Sequence, residues 1–119
     1  MTHNSSHSKP SSGYVLVAPR GELDLSERNR LGDLLDSALA ESSNLIVDLD
    51  AVTFLDSTAL SVLLRAHREA EQQGGRVTLA RPSDAARKIL RITQLDRVMA
   101  VHDTVESAIE PTPEQTEDR

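Results

Sequence analysis

The chain has no cysteine and no tryptophan, and its only aromatic residues are Tyr14 and Phe54. Without cysteine, disulfides, thiolate nucleophiles and sulfur-ligated zinc are all excluded. Two isolated aromatics give no platform on which bases or sugars would stack, so single-stranded nucleic acid is not an expected ligand. Basic residues are the minority: 13 Lys and Arg stand against 19 Asp and Glu, and the net charge of −6 repels phosphate backbones and anionic membranes. No apolar run approaches the roughly 20 residues needed to cross a bilayer, and residues 1–12 lack the apolar segment of a signal peptide. These absences predict a soluble cytoplasmic protein with no nucleic-acid and no membrane partner. A cationic or mixed-charge protein surface is its natural counterpart.

What is present is one domain's worth of aliphatic core in 119 residues. Residues 1–13 are serine-rich with little to bury and read as a disordered tail; His3 and His7 there have no third ligand to support a metal site. Residues 14–110 form the domain, and 111–119, rich in proline, threonine and acid, read as a disordered acidic tail. Within the domain, 14–18 reads as a strand, Pro19-Arg-Gly as a break and 22–25 as a second extended piece, which together suggest a hairpin. Ser26 offers an N-cap to a helix whose Leu31, Leu34, Leu35, Ala38 and Leu39 recur at helical spacing. Asn-Leu-Ile-Val-Asp-Leu over 44–49 has the unbroken apolar character of an interior strand. A long helix from about 58 to 73 turns Leu60, Leu63, Leu64 and Ala70 inward and ends at Gly74-Gly75. A strand over 76–80 follows, then a helix opened by Pro82-Ser83-Asp84 with Ala86, Ile89 and Leu90 on one side. A short strand over 98–101 leads to a last helix, where Asp103 and Glu106 have capping-box spacing and Val105, Ala108 and Ile109 point inward. Alternating strands and helices predict an α/β domain with a mostly parallel sheet, whose functional groups gather where strand carboxyl ends meet helix amino ends.

The chain is organised around 52–61, Val-Thr-Phe-Leu-Asp-Ser-Thr-Ala-Leu-Ser, where a strand runs through an acidic, hydroxyl-rich turn into the long helix. Ser57 sits at that joint as the expected N-cap. A phosphate on its hydroxyl would face unpaired first-turn N–H groups and the positive end of the helix dipole. The residues themselves leave two readings: a cap alone, or a cap that is also a switch. Asp24 and Asp56-Ser57 are expected to meet at one sheet edge. A charge of about −2 placed roughly 5 Å from a carboxylate costs about 2 to 7 kcal/mol for effective dielectrics between about 80 and 20. The cost grows as a partner excludes water, so phosphorylation weakens a complex more than it disturbs the free fold.

No catalytic constellation is complete. Ser57 has no assigned base, and neither a nucleophile elbow nor a phosphate-binding glycine loop is present. His67 and Glu71, one helical turn apart, read as a helix-surface pair and not an acid–base site. Asp24, Asp50 and Asp56 have no lysine at a strand end to complete a receiver-type magnesium site. The chain is therefore read as a non-enzyme without metal or cofactor.

Gly-Glu-Leu-Asp at 21–24, Leu-Ile-Val-Asp-Leu at 45–49, the 52–60 stretch, Gly-Gly-Arg-Val-Thr-Leu at 74–79 and Ile-Thr-Gln-Leu-Asp-Arg-Val at 92–98 together resemble STAS domains of the anti-sigma factor antagonist kind. The resemblance spans about 14–109 in order and spacing. It implies a mixed, mostly parallel sheet of four to five strands with about four helices packed on it. It also implies a bacterial regulator that binds an anti-sigma factor of the GHKL serine-kinase type and so frees a sigma factor. By the same resemblance, the kinase phosphorylates Ser57, with Thr58 a secondary candidate, and a serine phosphatase reverses this. Asp24, Asp56, Ser57, Thr58, Ala59 and Ser61 would form the partner-binding surface. STAS domains also serve, by resemblance, as unphosphorylated subunits of transport or lipid-trafficking complexes, which is the alternative reading. Where the family usually has Gly-Leu-Gly, this chain has Ala59-Leu60-Ser61, and its Thr-Gly-Leu is here Thr93-Gln94-Leu95. Glycine admits close backbone approach by a partner, so these replacements bear on docking.

Overall fold

The run Asn-Leu-Ile-Val-Asp forms strand β4 (Asn44–Asp48) at the centre of the molecule. The computed structural model describes residues 13–24 and 28–109, together with the backbone of 6–8. In it, β4 lies between β2 (Val15–Ala18) and β6 (Arg76–Ala80), parallel to both. A strand paired on both edges and covered on both faces shows no side to water, which accounts for its unbroken apolar sequence. Strand β7 (Val101–His102) continues the sheet in parallel beyond β6, and β1 (Ser6–Ser8) runs antiparallel to β2 at the opposite edge. The strand order is β1-β2-β4-β6-β7.

Helices α1 (Arg28–Glu41) and α2 (Ser57–Gln72) bury their apolar sides against one face of this sheet, where Val15, Val17, Leu45, Val47, Val77 and Leu79 point, and α3 (Asp84–Ile92) joins the same core beside residues 52–55. Helix α4 (Val105–Ile109) covers Ile46 and Ala80 on the other. The leucine stripe expected of α1 faces inward: Leu31, Leu35, Ala38 and Leu39 are buried and Leu34 packs against them. On α2, Leu60, Leu63 and Ala70 are buried as expected and Leu64 partly so, with Ala59, Val62 and Ala66 completing the face. At about 25 cal/mol per Å² of apolar surface, each large buried aliphatic contributes roughly 1.5 to 3 kcal/mol.

Several local expectations change. The two N-terminal strands do not form a hairpin, because β2 already has a partner on each edge, β1 and β4. Instead the chain kinks through Pro19 and Arg20, with Gly21 at φ +79°, into β3 (Gly21–Leu23). Strand β3 pairs in parallel with β5 (Val52–Leu55), the continuation of β4, as a separate two-stranded sheet. Ser6–Ser8 lies within the stretch read as a disordered tail: main-chain pairing along an open edge needs no apolar side chains. The remainder of 1–12, the Ser26 cap and the acidic tail at 111–119 lie outside the described residues. The strand expected over 98–101 begins only at Val101, since residues 95–97 coil into a 3₁₀ turn that Met99 extends by donating to Leu95. For α4, the cap is Thr104, whose hydroxyl accepts from Ser107 N at 2.9 Å, in place of Asp103.

The end of α2 follows its glycines. Gly74 adopts φ +87°, Gly75 N–H donates to Ala70 O (2.8 Å) and Gly74 N–H to Glu71 O (3.0 Å), the paired bonds of a Schellman cap. Gly75 also passes the main chain of Ser43 so closely that an added Cβ would fall 2.0 Å from the Ser43 carbonyl oxygen.

Candidate functional site

Strands β3 and β5 end together. Leu23 is in register with Leu55, and Asp56 N–H donates to Leu23 O at 3.1 Å. The residues that follow, Asp24 on one strand and Asp56-Ser57 on the other, therefore emerge side by side at one edge of the molecule, the juxtaposition expected from the sequence. The backbone turns directly from β5 into α2, so this edge is also the amino end of the longest helix.

The cap of that helix is Asp56 and not Ser57. Asp56 has extended backbone angles (φ −110°, ψ −178°), its carboxylate accepts from Ala59 N at 3.0 Å, and its carbonyl accepts the first helical bond, from Leu60 N, at 3.1 Å. A carboxylate at this position satisfies an orphan amide and complements the dipole, a combination the serine hydroxyl matches only in part. Ser57 becomes the first helical residue. Its side chain is exposed and makes no hydrogen bond to any described residue. Thr58, one residue on, is half-buried, and the amides of Ser57 and Thr58 have no acceptor among the described residues.

Ala59 and Ser61 separate. Ala59 is 2% exposed and belongs to the core cluster, so its methyl group packs inward and presents nothing to a partner. Ser61 is exposed one helical turn after Ser57 and shares its side of the helix. Of the two positions where glycine was expected, only Ser61 alters the surface. The third, Gln94, holds φ +64°, a left-handed conformation that glycine adopts without strain.

A polar cluster that the sequence did not announce closes the carboxyl ends of β4 and β6. Arg81, at φ +54°, grips the buried Asp48 with two bonds, Nε to Oδ1 at 3.0 Å and Nη2 to Oδ2 at 2.6 Å, and reaches Asp50 Oδ2 at 3.7 Å. Asp50 N–H donates back to Asp48 Oδ1 at 3.1 Å. The hydrogen bond that Arg81 donates to Asp48, then the charge of that carboxylate, raise the Arg81 pKa above its ordinary value. The signal available in sequence was a charged residue ending each of two apolar strand runs. Asp50 is engaged here, on a different strand end from Asp24 and Asp56, and among the described residues no group of three or more His, Cys, Asp or Glu converges to hold a metal.

His67 is 4% exposed, deeper than a helix-surface pair would be. Its Nδ1 accepts from Val77 N–H at 3.1 Å, which places the proton on Nε2, 3.2 Å from Glu71 Oε2. The ring thus ties α2 to the edge of β6 where β7 has not yet begun.

A five-stranded mixed sheet and two short parallel strands that deliver a hydroxyl to a helix start define a domain of α/β class. The STAS domain family profile matches residues 7–108, and the chain belongs to that family. Anti-sigma-F factor antagonist RsfA of Mycobacterium tuberculosis is 29% identical over 101 residues, covering 82% of this chain and 79% of that one. A Mycobacterium paratuberculosis anti-sigma factor antagonist of known crystal structure superposes with a TM-score of 0.80 at 24% identity, over 88% of this chain and 89% of that one. The Bacillus cell fate determinant SpoIIAA in its phosphorylated form superposes with a TM-score of 0.67 at 25% identity, over 88% of this chain and 96% of that one. Among the described residues no helix is long and apolar enough to cross a membrane.

Proposed function

We propose that this protein is an anti-sigma factor antagonist, a non-enzymatic cytoplasmic regulator that binds an anti-sigma factor and releases a sigma factor. Phosphorylation of Ser57 switches it off. The carrying observation is the position of Ser57: exposed, first in α2 and beside Asp24 and Asp56. The relatives' names and a phosphorylated structural neighbour support the same reading.

The anti-sigma factor is itself a serine kinase of the GHKL type, which supplies base and metal, so Ser57 needs only access. A serine phosphatase restores the active form. Asp56 caps the helix, which fixes where the Ser57 hydroxyl stands, and the two carboxylates supply the charge that phosphate must oppose under a bound partner. Thr58 is the secondary acceptor, and Ser61 extends the docking surface. Incubation with a GHKL kinase and ATP, followed by mass-spectrometric mapping, tests this: phosphate is expected on Ser57 and lost in Ser57→Ala. Phosphate found only elsewhere would overturn the assignment.

A further inference from the structure

We infer that the carboxyl end of α3 and the turn after it form a second protein-docking surface, which takes an acidic protein segment carrying aliphatic side chains. Residues 81–98 hold five basic residues against two acidic, +3 in a chain whose total is −6, so the remainder carries −9. Two of those five, Arg81 and Arg87, are occupied: Arg81 by Asp48, and Arg87 by Asp103 at 2.6 Å. The other three, Lys88, Arg91 and Arg97, are exposed and make no ion pair with any described residue.

The apolar component lies in the same stretch. Three large hydrophobic side chains are exposed among the described residues, and two of them, Ile92 (67%) and Val98 (51%), bracket the turn that follows α3. One exposed aliphatic needs no explanation. Two, set within seven residues of sequence among three unpaired cations, have the composition of an interface with a charged rim. The turn is held in place from beneath by buried Leu90, Leu95 and Met99. A rigid apolar–basic surface on an otherwise acidic molecule selects a partner of opposite charge and repels the same surface of a second copy of this chain. This surface does not depend on Ser57.

The test is a titration of a synthetic peptide alternating glutamate and leucine into the isotope-labelled full chain, followed by amide NMR shifts. Shifts are expected at Lys88, Arg91, Ile92, Arg97 and Val98. Raising salt from about 50 to about 300 mM should weaken binding about 10-fold, and Arg91→Glu should do the same at constant salt. Ile92→Asn, which keeps every charge, should weaken it about 5-fold, with Val98→Ser as the second apolar probe; all three side chains are exposed, so melting temperatures should hold. Unchanged affinity in both apolar variants would reduce the surface to bare charge and overturn the proposal. Shifts centred elsewhere, or equal binding by a peptide of the chain's own residues 110–119, would overturn it as well.

Discussion

Asp56 and Ser57 divide two tasks between adjacent residues: the carboxylate holds the helix start, and the hydroxyl is left facing solvent. The division has a direct thermodynamic consequence. Asp56→Ala removes a cap and should lower stability by about 0.5 to 2 kcal/mol, whereas Ser57→Ala, at an exposed first-turn position, should stay within about 0.5 kcal/mol. Thermal unfolding of the two variants checks this; a larger loss in Ser57→Ala would return the cap to serine. From sequence the two were indistinguishable, because both are good caps and helix starts are placed only to within a residue or two. The Asp48–Arg81 pair was hidden for a different reason, since 33 residues separate partners that only the β4–β6 register unites. Arg81→Ala leaves a buried carboxylate with only the Asp50 N–H beside it, while Asp48→Ala frees a half-exposed guanidinium and the amide of the exposed Asp50 to water, so chemical denaturation should rank Arg81→Ala the more destabilising. Because Asp48 raises the Arg81 value, the contribution of arginine's own titration is complete below its ordinary range. It is lost only as pH climbs through the raised one, so Arg81 adds no slope near neutrality.

Among the elements, the helices were the most legible and the short strands the least. The stripes of α1, α2 and α3 repeat often enough to fix both type and inward face. Strand β3 has three residues and β7 two, and which strand each pairs with is a property of the whole sheet, not of the residues themselves. This is why a hairpin was expected where a kinked pair of parallel strands stands. Two glycine-related positions test the connections. Gly75→Ala drives a methyl group into the Ser43 carbonyl and should cost about 1 to 3 kcal/mol by strain in the α2–β6 link, read as a fall in melting temperature. Gln94→Gly should act in the opposite direction. Relief of the left-handed backbone, less the entropy glycine regains on unfolding, should leave a gain of up to about 1 kcal/mol. A destabilised Gln94→Gly would mean that the glutamine side chain contributes more than its backbone costs.

Across the whole molecule, the sheet order carries the two parallel strand pairs β2–β4 and β3–β5 to a common end, and that convergence positions Asp24, Asp56 and Ser57 together. The edge was foreseeable, because parallel sheets gather function at strand carboxyl ends. Which of its residues face outward was not. Ala59 was grouped with the surface because it stands where the resembled family has a glycine, yet helical rotation turns it into the core, and of Ala59 and Ser61 only Ser61 keeps the exposed side. The same molecule-wide view separates a negatively charged body from a positive α3 end, a contrast invisible in the total of −6.

The central claim is that one phosphate on Ser57 abolishes partner binding without unfolding the domain. Calorimetric titration of a GHKL anti-sigma kinase with unmodified and Ser57-phosphorylated protein, in a non-hydrolysable nucleotide, measures this directly. A penalty of at least about 2 kcal/mol predicts that the modified protein binds at least about 30-fold more weakly, with its melting temperature nearly unchanged. Equal affinity of the two forms would contradict the account.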